Sequence, residues 1–539
     1  MNYGQSSSIY EIGLPLVRNY TTSEYKAFSQ NWGFVQDDRG VLYFANGEGV
    51  LEFDGIHWKT IKIVNDYVVF GIAIDKDNKV FVGSSSEVGY LASTKNGDLT
   101  YHSLLNYFPP NERKFNHVKN LLAIKSGVFF IAGGRLYKWN DKTLRSWSLA
   151  NPGSCFKLHD NILVWQSNIG LNIFLGDTIL KLQGGDFFAD KAIQNILPFK
   201  NNKMLVVCKD SGIYVMSDPF KLKRNAYPEI YRFYNQADYF ISNNQLLNGT
   251  ALSNGDYAFA TLRGGTAIID NNGTLVQILN KKAGIQNESH NNLGQDSQNA
   301  LWISLNNGIS RVDISSPLST WNDDMGLKGA VLSSVRFKNK MFVATWEGVF
   351  YLDLSSEKYT VSEDEYNIDI SRFKPIEGIK SHAWDLLVVK NFKNPSKDKL
   401  LVACTDGIYE VDLFCSKLLF KASASKLYKS NRDQSLIYAG TDEGVYCLSI
   451  DYSGDELTFR NMGKLKGLNE KVSGIGEDKS GKLWVSTEYA SVYLFEFEKL
   501  LNKRNTLPIM GNQCYTVSKY SATDGLPSND ITIYNFRDK

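Results

Sequence analysis

The sequence predicts an all-β protein: two consecutive β-propellers of four-stranded blades, the first seven-bladed and the second incomplete. Three observations predict it. One pattern recurs along the chain at intervals that suit a small sheet. The composition joins 43 glycines to only 12 prolines, with 13% aromatic residues, a balance that suits short strands and tight turns. No segment carries the long 3.6-residue apolar periodicity of an amphipathic helix, although ADKAIQNIL (189–197) imitates one.

The unit is clearest in NWGFVQDDRGVLYFANGEGVLEFDGIHW (31–58), with turns at DDRG, NGEG and DG. Its nearest relatives are NNLGQDSQNALWISLNNGISRVD (291–313) and VSGIGEDKSGKLWVSTEYASVYLFEF (472–497). Each reads as an apolar strand ending near Asp, a turn, a second strand such as LWISL, a small polar loop and a third strand, with a fourth to follow. Weaker copies fill the intervals, and eleven are visible. The small residue opening the third strand falls at Gly49, Gly89, Gly134, Gly170, Gly212, Gly265, Gly308, Gly348, Gly407, Gly444 and Ala490. A period near 40–45 residues is that of a propeller blade, because one small twisted sheet buries both faces only when neighbours pack on each side. The glycines are expected to open turns at φ values that a Cβ disfavours.

Eleven units exceed one ordinary ring of about four to eight blades, which divides the 539 residues into two domains. Residues 1–328 are read as a seven-bladed propeller, closed by an outer strand near GLPLVRNY (13–20) or by side-chain packing alone. The boundary falls at WNDDMGLKGA (321–330). Residues 329–539 then hold four blades and, in SATDGLPSNDITIYNFRDK (521–539), a link and innermost strand ITIYNF of a fifth, so that the sequence stops in mid-blade. Trp302 and Trp484, within second strands, are expected in the core.

Several function classes are disfavoured. A net charge of +2, from 59 basic and 57 acidic residues spread along the chain, creates no field suited to nucleic acid or an anionic membrane. No apolar run reaches the ~18 residues of a membrane helix, and MNYGQSSSIY lacks the layout of a signal peptide, which leaves a cytoplasmic chain or one whose signal has been removed. Cys155, Cys208, Cys404, Cys415, Cys447 and Cys514 lack metal-ligand spacing and read as buried free thiols. The six histidines are scattered, and no catalytic motif, metal site or cofactor site is read. DKDNK (75–79) resembles the start of a calcium loop but lacks its Gly and terminal Glu, and is read as a turn. Asp37–Asp38 and Glu477–Asp478 could suggest a glycosidase pair, but their recurrence at one turn argues that they accept backbone N–H bonds.

Gly525, Leu526, Pro527, Ser528 and Asn529 in the link, with Glu477, Asp478, Gly481, Leu483, Trp484 and Thr487 in a blade, resemble the two-component regulator propeller repeats of Bacteroidetes signalling proteins. The opening IGLPLVRNY followed by NWGFVQDDRGVLYFANGEGVLEFDG is similar to that family's N-terminal propeller. The resemblance is strong at both ends and at 290–313, and loose between 114 and 260. It implies the periplasmic sensor region of a signal-transduction protein, commonly for glycan breakdown products and made of two seven-bladed propellers. An immunoglobulin-like domain with a triple-tyrosine pattern, a membrane helix and a kinase or DNA-binding output would follow. None of these later parts lies within the 539 residues, so no enzyme activity is read for them. Pairing of two copies in a full-length sensor is an open expectation.

Ligand-binding residues are expected where the link before the innermost strand and the loop between second and third strands share one face. That face collects Trp32, Glu48, Tyr67, Glu87, His117, Arg263 and Asn307 from the first ring, and Trp346, Glu347, Trp384, Asp406, Asp442 and Tyr489 from the second. Aromatic faces suit sugar C–H groups, while carboxylates, amides and Arg supply directed hydrogen bonds. An oligosaccharide or other small molecule is therefore the expected ligand. Inter-blade packing or a solvated loop is the competing place for each residue, and a glycan-active propeller enzyme or a protein-docking scaffold is the competing function.

Overall fold

The computed structural model describes residues 13–534 apart from 119, 223–225, 354–372, 413, 454–455 and 498–514. Cys514 and the end of ITIYNF lie outside the described residues. The strands assemble into eleven four-stranded antiparallel sheets. The first shows why: in Asn31–Gln36, Leu42–Asn46, Gly49–Phe53 and Trp58–Ile61, alternating apolar residues point to opposite faces, and turn residues fill the gaps.

One carboxylate builds the turn after four of the innermost strands, and after the third strand Thr266–Ile269. Asp37 accepts from the N–H groups of Arg39 and Val41 at 2.9 and 3.0 Å. Asp75, Asp270, Asp296 and Asp478 repeat the arrangement with the residues two and four positions on. The calcium-like string is thus a turn, with Asp75 committed to it. The paired carboxylates are tied up as well. Asp38 accepts from the Asn78 amide, and buried Glu477 accepts from the Ser430 hydroxyl and the N–H groups of Asn431 and Arg432.

The chain divides after Thr320. One unit runs over Leu14–Thr320 and the other begins at Trp321. In the first, seven innermost strands are neighbours in chain order: Asn31–Gln36, Val69–Ile74, Leu121–Ile124, Gly153–Leu158, Ile193–Phe199, Leu246–Ala251 and His290–Gln295, the seventh returning to the first. Apolar cores lie between successive sheets. Tyr43, Ala45 and Val50 meet Val69, Val80 and Val82, and Phe129 and Leu136 meet Cys155, Ile162 and Val164. Burial of such side chains stabilises by roughly 1.5–3 kcal/mol each.

Val17–Tyr20 is the outer strand of the seventh sheet, paired antiparallel with Ile309–Val312. Tyr20 stacks on buried Trp302 at 5.5 Å, and Trp302 also meets Phe34, Phe44 and Phe53 of the first sheet. Gly294 permits this approach, because a Cβ there would stand 2.9 Å from the Phe34 ring.

In the unit beginning at Trp321, the innermost strands are Val331–Phe337, Ala383–Val389, Ala424–Lys429 and Val472–Glu477, each next to the one before it. Residues 531–534 form no strand, in contrast to the expected innermost strand. They nevertheless lie along the fourth sheet: the Ile533 N–H donates to the Ser486 hydroxyl at 3.1 Å, and the Ser473 hydroxyl donates to the Ile531 carbonyl at 2.9 Å. Trp484 is only partly buried. Its indole N–H donates to Asp478 at 3.0 Å, as that of Trp302 donates to Asp296 at 2.8 Å. Trp302, however, is covered by a following sheet, whereas among the described residues Trp484 has Tyr520 as its one ring neighbour, at 6.2 Å.

Two further expectations are corrected. Cys155, Cys208, Cys404 and Cys447 are buried free thiols, whereas Cys415 is exposed because it opens the outermost strand Cys415–Phe420. Gly89 and Gly407 do not adopt positive φ as Gly49 and Gly308 do. Their small size is needed for close approach instead, since a Cβ would meet the carbonyl of His102 or Phe420. ADKAIQNIL is not helical, and Ile193–Phe199 is an innermost strand.

Candidate functional site

In most sheets the innermost strand begins with a β-bulge, where the partner strand skips one residue. In the first unit the skipped residues are Trp32, Phe70, Gln194, Leu247 and Asn291. A bulge leaves its extra residue outside the ladder and re-aims its side chain. Here all five line one cavity of about 610 Å³, together with His117, Asn120, Ser154, Trp165, Asn248 and Asn292. All seven sheets contribute to its wall.

The wall has two chemically distinct arcs. The Trp32 and Phe70 rings, from the first two sheets, meet edge to face with centroids 5.1 Å apart, and the His117 ring, from the link before the third sheet, lies tilted to Phe70 at 5.4 Å. Gln194, Asn248, Asn291 and Asn292, from the fifth to seventh sheets, supply amides. Hydrogen bonds fix two of them, Asn248 and Asn291. Asn195 donates to Asn248 Oδ1 at 2.8 Å and to the Gly249 carbonyl at 2.5 Å, and Asn291 donates to the Asn31 carbonyl at 2.9 Å. The Trp165 indole N–H is held by the Phe188 carbonyl at 2.7 Å, which fixes its ring. An adjoining cavity of about 290 Å³ shares Trp32, Phe70, Asn120, Gln194, Asn248 and Asn292, and is also lined by Gly33, Gly71 and Lys157. Aromatic faces beside fixed amides can hold a ring that has apolar C–H faces and a hydroxylated edge.

Of the residues expected from the sequence, Trp32 and His117 line this cavity. Glu48, Arg263 and Asn307 stand in the loops between second and third strands and are not among its lining residues, Arg263 and Asn307 being exposed. Tyr67 packs against the core between the first and second sheets. Glu87 is buried, accepting from the hydroxyls of Tyr101 and Ser103 at 3.0 and 2.5 Å, so it braces its own sheet rather than facing a ligand.

In the other unit the bulge residues are Leu332, Trp384, Ser425 and Ser473. Trp346, 52% exposed, lies parallel to His382 at 6.3 Å, and His382 meets Trp384 at 6.2 Å. The Lys471 ammonium lies 5.9 Å from the Trp384 ring centre and pairs with Glu488 at 2.6 Å. Asp406 accepts from Ser381 and Tyr409 at 2.5 and 2.9 Å. Glu347, Asp442 and Tyr489 are exposed in their loops. Phe70, Gln194, Leu247, Asn248, Asn291, Asn292 and Trp165 were missed by sequence reasoning. The bulge residues of the first unit share one faint signal, a Gly or Asn directly after each, in Trp32-Gly33, Phe70-Gly71, Gln194-Asn195, Leu247-Asn248 and Asn291-Asn292, while Trp165 has none.

No family model matches the chain, and no curated protein matches it. Among solved structures, the chain is similar to the extracellular domain of a protein described as a hybrid two-component system from B. thetaiotaomicron. The TM-score is 0.66 at 14% identity, over 96% of this chain and 68% of that one. An extracellular domain described as belonging to a one-component system of the same organism gives a TM-score of 0.45 at 15% identity, over 90% of this chain and 72% of that one. A streptogramin B lyase gives 0.44 at 14% identity, over 55% and 97%. The first likeness, with the ring of sheets above, establishes the fold as a β-propeller fold shared with an extracellular domain. At 14% identity it carries the fold and not the function. Among the described residues, no helix is long and apolar enough to cross a membrane.

Proposed function

We propose that this chain is the periplasmic or extracellular ligand-sensing region of a bacterial signal-transduction protein, and that it binds an oligosaccharide in the cavity of its first unit. On this reading residues 1–328 form a seven-bladed propeller, and residues 329–539 form four blades of a second propeller with the start of a fifth. The observation that carries the binding proposal is the division of one 610 Å³ cavity into an aromatic arc and an amide arc. The sensing role is supported by the resemblance of the link and blade motifs to two-component regulator propellers, and by the extracellular domain that shares the fold. Trp346, Glu347, Trp384, Asp406, Asp442 and Tyr489 are proposed as a second ligand-facing surface. Glu48, Tyr67, Arg263 and Asn307 are proposed to make outer contacts beyond the cavity.

The test is thermal unfolding with a panel of oligosaccharides, followed by calorimetric titration of those that stabilise. A ligand at a hundred times its Kd raises stability by about 2.7 kcal/mol. Binding that is lost in Trp32→Ala and Gln194→Ala while the protein stays folded supports the proposal. Cleavage of the oligosaccharide would favour an enzyme, and capture of a specific protein with no sugar binding would favour a docking scaffold.

A further inference from the structure

Two neighbouring sheets fix the hydrogen-bonding polarity of one side of the first-unit cavity. Gln194 and Leu247 are the bulge residues of the fifth and sixth sheets, and an asparagine follows each of them. Asn195 Oδ1 accepts from the Ile196 N–H at 2.8 Å, and Asn248 Oδ1 accepts from the Gly249 N–H at 2.7 Å. A backbone N–H only donates, so neither amide can be turned round without losing that bond. Asn195 Nδ2 then donates across to the sixth sheet, to the Gly249 carbonyl at 2.5 Å and to Asn248 Oδ1 at 2.8 Å. Asn248 Oδ1 thus accepts twice, which uses both its lone pairs. Among the described residues, what Asn248 has left for the cavity it lines is its amide nitrogen. Resting on the oligosaccharide reading of that cavity, we infer that Asn195 is a positioning residue for the ligand: it holds Asn248 as a donor, so that the sugar hydroxyl meeting Asn248 is read as an acceptor.

A free asparagine can turn either end of its amide to a ligand, and a hydroxyl can donate or accept, so an unheld pair would match in several ways and distinguish little. A held amide matches only a group that directs a lone pair at it, and a site built to hydrogen-bond one group rejects the analogue that lacks it. The other unit carries the same bulge cap with the opposite polarity. Asp385 follows the bulge residue Trp384; its Oδ1 accepts from the Leu386 N–H at 3.0 Å, and its Oδ2 accepts from the Leu427 N–H of the next sheet at 3.1 Å. Asn195 donates to the next sheet where Asp385 accepts from it. An aspartate at 195 would therefore draw Asn248 Nδ2 to itself and turn Oδ1 to the cavity.

The experiment is calorimetric titration of the full 539-residue chain with gluco-, manno-, xylo- and fructo-oligosaccharides and oligogalacturonides, followed by the monodeoxy and monodeoxyfluoro derivatives of the tightest binder. Fluorine keeps a weak acceptor and removes the donor, whereas hydrogen removes both. The expected result is one hydroxyl position at which the deoxy derivative binds at least about fivefold more weakly, the loss when a buried donor is left unpaired, while the fluoro derivative stays within about twofold of the parent. Asn248→Asp keeps an oxygen for the Gly249 N–H and for Asn195, so it should stay folded, and in it the fluoro derivative should bind no better than the deoxy one. Asn195→Asp should abolish the same preference at the same position, whereas a merely structural role would weaken all derivatives alike. A wild-type protein that binds the parent sugar with no such position, or a folded Asn248→Asp or Asn195→Asp protein that keeps the fluoro preference, would overturn the inference while leaving the glycan reading standing. A folded wild-type protein that binds none of the oligosaccharides would remove the glycan reading itself, and this inference with it.

Discussion

Trp302 and Trp484 occupy the same place in the repeat, and removing each should cost the protein very different amounts. Trp302 is 2% exposed and touches the rings of Tyr20, Phe34, Phe44 and Phe53. Burying about 200 Å² of indole at about 25 cal/mol per Å² corresponds to roughly 5 kcal/mol, and emptying such a site typically costs about 3–5 kcal/mol. Trp302→Ala also leaves Asp296 without its indole donor. Trp484 is partly buried, with one ring neighbour and one hydrogen bond, so Trp484→Ala should cost about 1–2 kcal/mol. Two units do not share a single unfolding free energy. The assay is therefore hydrogen exchange in rising denaturant, read separately on peptides of the seventh and eleventh sheets. Losses that agree within about 0.5 kcal/mol would refute the argument that a following sheet covers one tryptophan and leaves the other open.

Other outcomes follow from the same contacts. Deleting residues 1–21 removes the outer strand of the seventh sheet and bares the edge of Ile309–Val312. Light scattering should show more self-association than in the intact chain. His290 is fully buried, donating from Nε2 to the Asn287 carbonyl at 2.9 Å and accepting the Thr266 hydroxyl at Nδ1 at 2.7 Å, and burial pushes its pKa down to about 4. Because the folded state disfavours the proton, its contribution is present above about pH 6.5 and lost as pH falls through about 4. That amounts to about 3 kcal/mol, and His290→Gln should flatten the acid limb of a stability-against-pH curve. Trp346→Ala should leave the stability of the free protein within about 1 kcal/mol, since the ring is half exposed. A larger loss in a denaturant titration would place it in the core.

The repeat made the fold legible, because spacing, turn carboxylates and alternation all follow from one blade's need for neighbours. The strand at 13–20 was readable for the same reason, since a ring of sheets with an unpaired edge asks for one more strand. The cavity wall was less legible. Trp32 and His117 were visible as aromatics on the right face, but Gln194, Asn248 and Asn292 look like ordinary strand residues. Only the bulge, a feature of register between two strands, turns Phe70 or Asn291 inward. Glu87 misled because its loop position suits a ligand, while the hydroxyls that occupy it arrive from a strand fourteen to sixteen residues later. Trp484 misled because the repeat alone does not say what stands on its far side.

The central claim is that bulge residues of the innermost strands form a ligand site in the first unit. It is tested most directly by a crystal structure of the chain with an oligosaccharide that stabilises it. A sugar ring should rest against Trp32 or Phe70, with its hydroxyls on the amides of Gln194, Asn248, Asn291 or Asn292. A saccharide bound elsewhere, with that cavity holding only water, would contradict it.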